Sequence, residues 1–136
     1  MGNRLLEQEF YGTPRQRSAE VRRWWREFEH AARVALLQDL VARSWGVSLE
    51  EIKAPTRQHA RAAFARQVGM YLGHVAFGLS LSAIGRHFGR DRTTAAHACR
   101  LVEDKRDDRD LDMVLTCLEQ ALVAVPRAFD RPPGHG

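Results

Sequence analysis

Four consecutive residues, Asp91 to Thr94, carry the side chains of this 136-residue chain that are best suited to recognising another molecule. Asp91 offers a carboxylate, Arg92 a guanidinium, and Thr93 and Thr94 each a hydroxyl and a methyl group. Asp91 is a residue type that caps helices, and an apolar helical pattern follows it. We therefore expect these side chains to stand at the beginning of a helix.

The residues around this segment predict two helices joined by a tight turn. Ser80 is the expected N-cap of the first helix, and Gly89 is expected to make the turn. The buried face of the first helix is predicted to be Leu81, Ile84 and Phe88, at spacings i, i+3 and i+7. The second helix is expected to bury Ala95, Cys99 and Val102 and to expose Thr93, His97 and Arg100. This arrangement is typical of a helix-turn-helix, whose second helix enters the major groove of DNA.

Charge is segregated along the chain. Residues 57–100 contain seven arginines and a single acid, Asp91, which gives a net charge of +6. The other 92 residues contain 14 basic and 16 acidic side chains, a net charge of −2. An arginine-rich genome would explain why 19 of the 21 basic residues are arginine, but not why acids are missing from one block. The distribution favours a polyanionic partner.

The remaining pattern predicts an all-α fold of five to six helices. Residues 1–17 are expected to form a flexible arm, 18–125 a helical domain, and 126–136 a disordered tail. Ser18 is the predicted N-cap of a long helix that ends at Gly46, and Ser48 with Glu51 forms a capping box before Pro55. Apolar stripes are then expected on three helices. The first consists of Trp24, Phe28, Ala31 and Ala35, broadened by Leu36, Leu37, Leu40 and Val41. The second consists of Phe64, Val68, Leu72 and Val75, and the third of Leu111, Val114, Leu115, Leu118, Leu122 and Val125.

Motifs for catalysis or metal binding are not recognisable. The sequence lacks a Gly-x-x-x-x-Gly-Lys loop, a His-Glu-x-x-His pair and a Cys-x-x-Cys pair, so we expect no enzyme activity, cofactor or metal. No stretch approaches the ~20 apolar residues of a membrane span, and no signal pattern is present, so we expect a cytoplasmic, nucleoid-associated protein with no membrane partner. Cys99 and Cys117 are expected to be free thiols.

The predicted helix 18–44 leaves an alternative function open. Trp24 and Trp25 are favoured as core residues, but they could instead anchor a protein partner, which would make the chain an interaction module. The arginines and glutamates between positions 20 and 33 alternate in the manner of a solvated, ion-paired face. The small-residue spacing of Gly69 and Gly73 favours the close approach of a neighbouring helix.

Three motifs in order resemble a known family. These are Arg66-Gln67-x-x-Met70-Tyr71-Leu72, then Gly78-Leu79-Ser80-Leu81-x-x-Ile84-Gly85-x-x-Phe88-Gly89, then Arg90-Asp91-x-Thr93-Thr94-x-x-His97-Ala98-Cys99-Arg100. Together they resemble the C-terminal DNA-binding domain of the bacterial replication initiator DnaA. The resemblance runs from about Val34 to Val123 and includes no counterpart of the DnaA ATPase domain, so the chain looks like a stand-alone relative of the DNA-reading module.

The resemblance implies a set of contacts to double-stranded DNA, with DnaA-box-like sites as the target class. Base edges in the major groove would be contacted by Asp91, Arg92, Thr93 and Thr94. Phosphates would be contacted by Arg66, Gln67, Arg90 and His97 and by the backbone N–H groups of Leu81 and Ser82. A basic loop, residues 56–62, would place Arg57 or Arg61 in the minor groove, assisted by His59. The implied function is sequence-specific DNA binding in the regulation of transcription or of replication origins.

The chain departs from the family pattern at four places. It has one glycine before Arg90 where the family has two, and Arg92 replaces the family's histidine. Ser82-Ala83 replaces Pro-Glu at the opening of the first helix, and His74 replaces a basic side chain. These differences leave DNA binding as the firm expectation and the DnaA box as the weaker one.

Overall fold

A computed structural model describes residues 14–54 and 59–124, and every regular element within these ranges is a helix. The helices are α1 (Pro14–Trp45), α2 (Leu49–Lys53), α3 (Ala60–Phe77), α4 (Leu81–His87), α5 (Arg92–Lys105) and α6 (Arg109–Ala124). The all-α prediction of five to six helices is confirmed. Residues 1–13, 55–58 and 125–136 lie outside the described ranges. They include the whole predicted tail and most of the predicted arm.

The ends of the early helices agree with the sequence signals at all but one position. Helix α1 begins at Pro14, so the prediction that Ser18 caps it is wrong, and four residues of the expected arm are helical. The helix ends before Gly46, and Val47 N–H donates to Ala42 O at 2.9 Å. Ser48 Oγ accepts from Glu51 N–H at 3.1 Å, as the capping box predicts.

Helix α3 is the centre of the core, packed against α1, α5, α6 and α4. A methyl group at Gly69 would lie 2.8 Å from the ring of Phe88, and one at Gly73 would clash with Ile84. The missing side chains therefore let α4 lie close against α3, as the spacing of small residues predicts. The aliphatic and aromatic core contains Leu37, Val41, Ile52, Val68, Met70, Leu72, Ile84, Phe88, Val102 and Leu115.

Only part of the apolar stripe predicted for α1 packs against the core. Leu37 and Val41 are buried as predicted, and Leu40 is partly buried. Trp24 and Phe28 are 48% and 46% exposed, and Ala31, Ala35 and Leu36 are exposed as well. The packed face also carries Val34 and the polar Gln38, whose Nε2 donates to His87 O at 3.3 Å. Because the predicted stripe is wider than one face of α1, periodicity does not decide which side of it packs. Val75 and Val114, also expected in the core, are exposed on α3 and α6.

A polar cluster around Arg106 joins α3, α5 and α6. Its guanidinium donates to Tyr71 Oη at 2.9 Å, to Asp112 Oδ1 at 2.6 Å and to Thr116 Oγ1 at 2.9 Å, and pairs with Glu119. Desolvation opposes the charge, but these hydrogen bonds prevail and raise the pKa of Arg106. Arg106 itself lies in the short segment between α5 and α6.

Candidate nucleic-acid interface

Helices α4 and α5 form a helix-turn-helix whose caps are those expected from the sequence. Ser80 Oγ accepts from Ala83 N–H at 3.1 Å, and Asp91 Oδ1 accepts from Thr94 N–H at 2.7 Å. Gly89 in the turn has φ +65°, a backbone conformation that favours glycine. The predictions of Ser80 and Asp91 as N-caps and of Gly89 as the turn residue are confirmed.

Gly85 sets how closely the turn lies against α4. A Cβ atom at this position would lie 2.7 Å from Arg90 O and 3.0 Å from Asp91 O. Arg90 N–H also donates to Gly85 O at 2.8 Å. The first residues of α5 are therefore held by backbone contacts on one side and by the Asp91 cap on the other.

The four residues at the start of α5 all point to solvent. Asp91, Arg92, Thr93 and Thr94 are exposed, and His97 follows them on the same outward side, together with Arg100. Ala95, Ala98 and Val102 are buried, whereas Cys99 is half-buried, so the predicted inner face is confirmed except at Cys99. The backbone N–H of Thr94, followed by its side-chain hydroxyl, lowers the pKa of the Asp91 carboxyl.

A groove of about 440 Å³ lies between the first part of α5, the C-terminal part of α3 and the first residue of α4. Arg92, Thr93 and Arg100 form one wall, and His74 and Leu81 the other. His74 Nδ1 is 2.7 Å from Leu79 O, and because a carbonyl only accepts, this nitrogen carries the proton. Leu81 and Ser82 belong to the first turn of α4, whose N–H groups have no partner within the helix.

Arg66, predicted to contact phosphate, is turned into the protein. The residue is 5% exposed, and its Nε and Nη2 donate to Ile52 O at 2.8 Å and to Glu51 O at 2.7 Å. Desolvation, and then the nearby charge of Arg90, lower the pKa of Arg66. Its position four residues after buried Ala62 and three before buried Gly69 is the sequence signal for an inward side chain. We correct its role from phosphate contact to internal support.

Arg90 is likewise engaged within the protein. Its Nη2 donates to Ala54 O at 2.8 Å, and its Nη1 lies 3.3 Å from both Phe88 O and Gly89 O. The side chain is half-buried. The phosphate contact of Arg90 stays a prediction. No helical periodicity signals these internal contacts, because Arg90 lies in the turn.

The other predicted contact residues that the structure describes on this side lie around the beginning of α3. Arg61 is exposed on the first turn of that helix rather than in the predicted loop, because His59 is the N-cap and accepts from Ala62 N–H at 3.2 Å. Arg57 lies outside the described residues.

Gln67 is half-buried and lines a second groove of about 420 Å³ with His59, Phe64 and Lys105. Glu51 pairs with His59 at 2.5 Å, and this hydrogen bond lowers the pKa of the glutamate.

The caps, the turn and the outward polar segment define a helix-turn-helix protein. A model of the bacterial dnaA protein helix-turn-helix matches residues 34–102, which is half of the chain. The chain therefore belongs to the bacterial DnaA helix-turn-helix family, and the resemblance drawn from its motifs is confirmed.

The relatives and solved structures agree with this assignment. The chain is 44% identical over 73 residues to the chromosomal replication initiator protein DnaA of Mesorhizobium japonicum, covering 53% of this chain and 15% of that protein. It is 38% identical over 89 residues to DnaA of Rippkaea orientalis, covering 64% and 19%. The chain thus spans about a fifth or less of the length of these relatives.

Two solved structures share the fold. One is a replication initiator DnaA bound to AMPPCP and single-stranded DNA, with a TM-score of 0.64, 29% identity, and coverage of 74% of this chain and 30% of that one. The other is a DNA replication initiation factor, with a TM-score of 0.66, 25% identity, and coverage of 85% and 39%.

Within residues 14–54 and 59–124, no helix is long and apolar enough to cross a membrane. The same residues hold no group of three or more His, Cys, Asp or Glu side chains arranged to bind a metal ion.

Proposed function

We propose that this chain binds double-stranded DNA sequence-specifically, with α5 in the major groove, and acts in the cytoplasm as a regulator of replication origins or of transcription. The observation that carries the proposal is the exposure of Asp91, Arg92, Thr93 and Thr94 at the capped start of α5, in a block of net charge +6. Family membership supports the same reading. The proposed DNA-binding unit is the predicted domain 18–125.

The four side chains match the hydrogen-bonding groups of base edges. A threonine methyl suits the C5-methyl group of thymine, an arginine pairs with O6 and N7 of guanine, and a carboxylate accepts from N4 of cytosine. Asp91 can combine such a contact with its capping role, since a carboxylate has about four lone-pair sites. Arg92 is the side chain expected to shift base preference toward guanine.

The backbone contacts that we propose come from residues on both sides of α5. Leu81 lines the groove beside Arg92, and the N–H groups of Leu81 and Ser82 belong to the first turn of α4. His97 is exposed on α5. Gln67 and Arg61 are proposed to contact the backbone from α3, and Arg57 to enter the minor groove. Arg66 is left out of this set because its guanidinium group donates to carbonyl oxygens within the protein.

Selection from a random pool of duplexes tests this proposal. We expect an enriched motif with the wild-type chain and a changed motif with Arg92→Ala. Arg109→Ala, at the start of α6, removes the same charge outside the proposed interface and is the matched control. Retention of all duplexes in low salt without any enriched motif would contradict sequence-specific reading.

A further inference from the structure

Arg100 is an exposed arginine on the outward side of α5 that none of the contacts proposed above uses. It lies on the same helix face as Thr93, since positions 93, 96 and 100 follow the spacing i, i+3 and i+7. Its guanidinium makes no hydrogen bond or ion pair with any residue that the structure describes, although Asp104, four residues further along the helix, is placed for one. The guanidinium is therefore available to a partner outside the chain.

The wall that α5 contributes to the groove between α3, α4 and α5 is suited to an anion. Arg92 and Arg100 both line it, on either side of Ala96 and Cys99, whose short side chains leave the groove open. Burial raises the pKa of the Cys99 thiol, which keeps the thiol protonated and uncharged at neutral pH. The described residues that line the groove thus include two arginines and no acid.

The opposite wall of the groove offers an anion no side-chain donor while the His74 ring is neutral. Nδ1 of His74 directs its proton at Leu79 O, so in the neutral ring Nε2 can only accept a hydrogen bond. Leu81, the other residue of this wall, presents an apolar side chain. The side-chain donors for an anion in the groove therefore come from α5.

Helix geometry separates Arg100 from the bases that Thr93 would contact. Seven residues lie between the two positions in the numbering, which corresponds to about 10 Å along α5. The N-terminal residues of a recognition helix are the ones that reach the base edges, and the major groove is ~8.5 Å deep. A side chain about 10 Å behind Thr93 therefore lies near the sugar-phosphate backbone that borders the groove.

We propose that Arg100 contacts a phosphate of the DNA backbone lying in this groove, and so adds affinity without adding sequence preference. A guanidinium pairs with phosphate through two parallel hydrogen bonds, and contacts to phosphate fix the register of a protein on the duplex without reading its sequence. This inference rests on the proposed function, since it takes the start of α5 to lie in the major groove.

The first test is a salt titration of duplex binding. Arg100→Ala is expected to weaken binding about tenfold and to make the slope of log K against log salt shallower by about 0.9, with the selected motif and the melting temperature unchanged. Arg100→Lys keeps a charge for the phosphate and is expected to retain the wild-type slope. Arg109→Ala, which removes an exposed arginine from the start of α6, is the matched control and should keep the wild-type affinity and slope.

The second test locates the phosphate with neutral methylphosphonate groups, placed one at a time along the backbone of the duplex selected by the wild-type chain. At one position the methylphosphonate is expected to weaken binding of the wild-type chain about tenfold, but binding of Arg100→Ala less than twofold, because the variant has already lost the contact. In Arg109→Ala the same methylphosphonate is expected to keep its full effect.

The outcomes separate this inference from the proposed function. An unchanged salt slope in Arg100→Ala, or a changed motif at unchanged slope, would overturn the phosphate contact and leave the proposed function intact. A wild-type chain that retains all duplexes without an enriched motif would contradict sequence-specific reading alone, because the slope of Arg100→Ala can be measured on any duplex. A wild-type chain that binds no duplex would overturn both.

Discussion

Asp91 and Thr94 are joined by a hydrogen bond of 2.7 Å between the aspartate Oδ1 and the threonine N–H. Both residues are exposed, and both belong to the segment that we propose to contact bases. The same bond that begins helix α5 therefore also joins two residues whose side chains we propose to contact bases. Helix stability and DNA recognition are coupled at Asp91, and substitutions there can separate the two.

Asp91→Asn is expected to keep the cap and change recognition. Asparagine caps helices as well as aspartate does, but its amide presents donors where the carboxylate only accepts. We expect a melting temperature close to that of the wild type and a changed base preference at one position of the selected motif. Asp91→Ala, which removes the cap as well, should lower both the melting temperature and the affinity.

The stability that Asp91 provides should depend on pH. Hydrogen bonds from Thr94 lower the pKa of this carboxyl in the folded chain. A lowered folded-state pKa gives stability that is present above the unfolded-state pKa of about 3.9 and is lost as pH falls through the folded-state value. Thermal melts between pH 7 and about pH 3 should show the wild type losing stability relative to Asp91→Asn. A constant difference between the two would contradict this assignment.

Local signals in the sequence were enough to predict the helix-turn-helix. Caps and glycine turns depend on a few adjacent residues, and Ser80, Gly89 and Asp91 have the roles that their residue types indicate. The face of α1 that packs could be predicted only in part. Leu37 and Val41 belong to the predicted stripe, but burial of Val34 rather than Trp24 depends on where α3 lies. The resemblance implies outward roles for Arg66 and Arg90. Helical spacing indicates an inward side chain for Arg66, but spacing does not reveal the distant backbone carbonyls that the two arginines contact.

Replacing Thr93 should change the base preference of the protein more than its folding stability. Thr93 is exposed and is not the cap of α5. Thr93→Ala is expected to reduce discrimination at one base pair by ~1–3 kcal/mol. Competition binding with duplexes that differ only at that base pair measures the effect. Thr116→Ala, in the Arg106 cluster on α6, is a threonine control that should leave base preference unchanged.

Replacing Arg66 should reduce stability without the signature of a lost phosphate contact. Arg66→Ala leaves the carbonyls of Glu51 and Ile52 without their donors in a buried setting, which should cost about 3 kcal/mol. The slope of log K against log salt should be unchanged, whereas loss of one phosphate contact would make it shallower by about 0.9. Chemical denaturation and a salt titration measure the two quantities. A shallower slope with unchanged stability would contradict the internal role.

Replacing Trp24 tests whether the aromatic face of α1 takes part in DNA binding. Trp24 stacks on Phe28 at a centroid distance of 5.6 Å, and both remain nearly half exposed. Trp24→Ala should therefore change the free energy of unfolding by about 0.5 kcal/mol or less, whereas Phe88→Ala in the core should cost ~3–5 kcal/mol. Duplex affinity should be unchanged in Trp24→Ala. If it fell as far as in Arg92→Ala, the aromatic face of α1 would have to belong to the DNA-binding surface, contrary to the assignment made for α5.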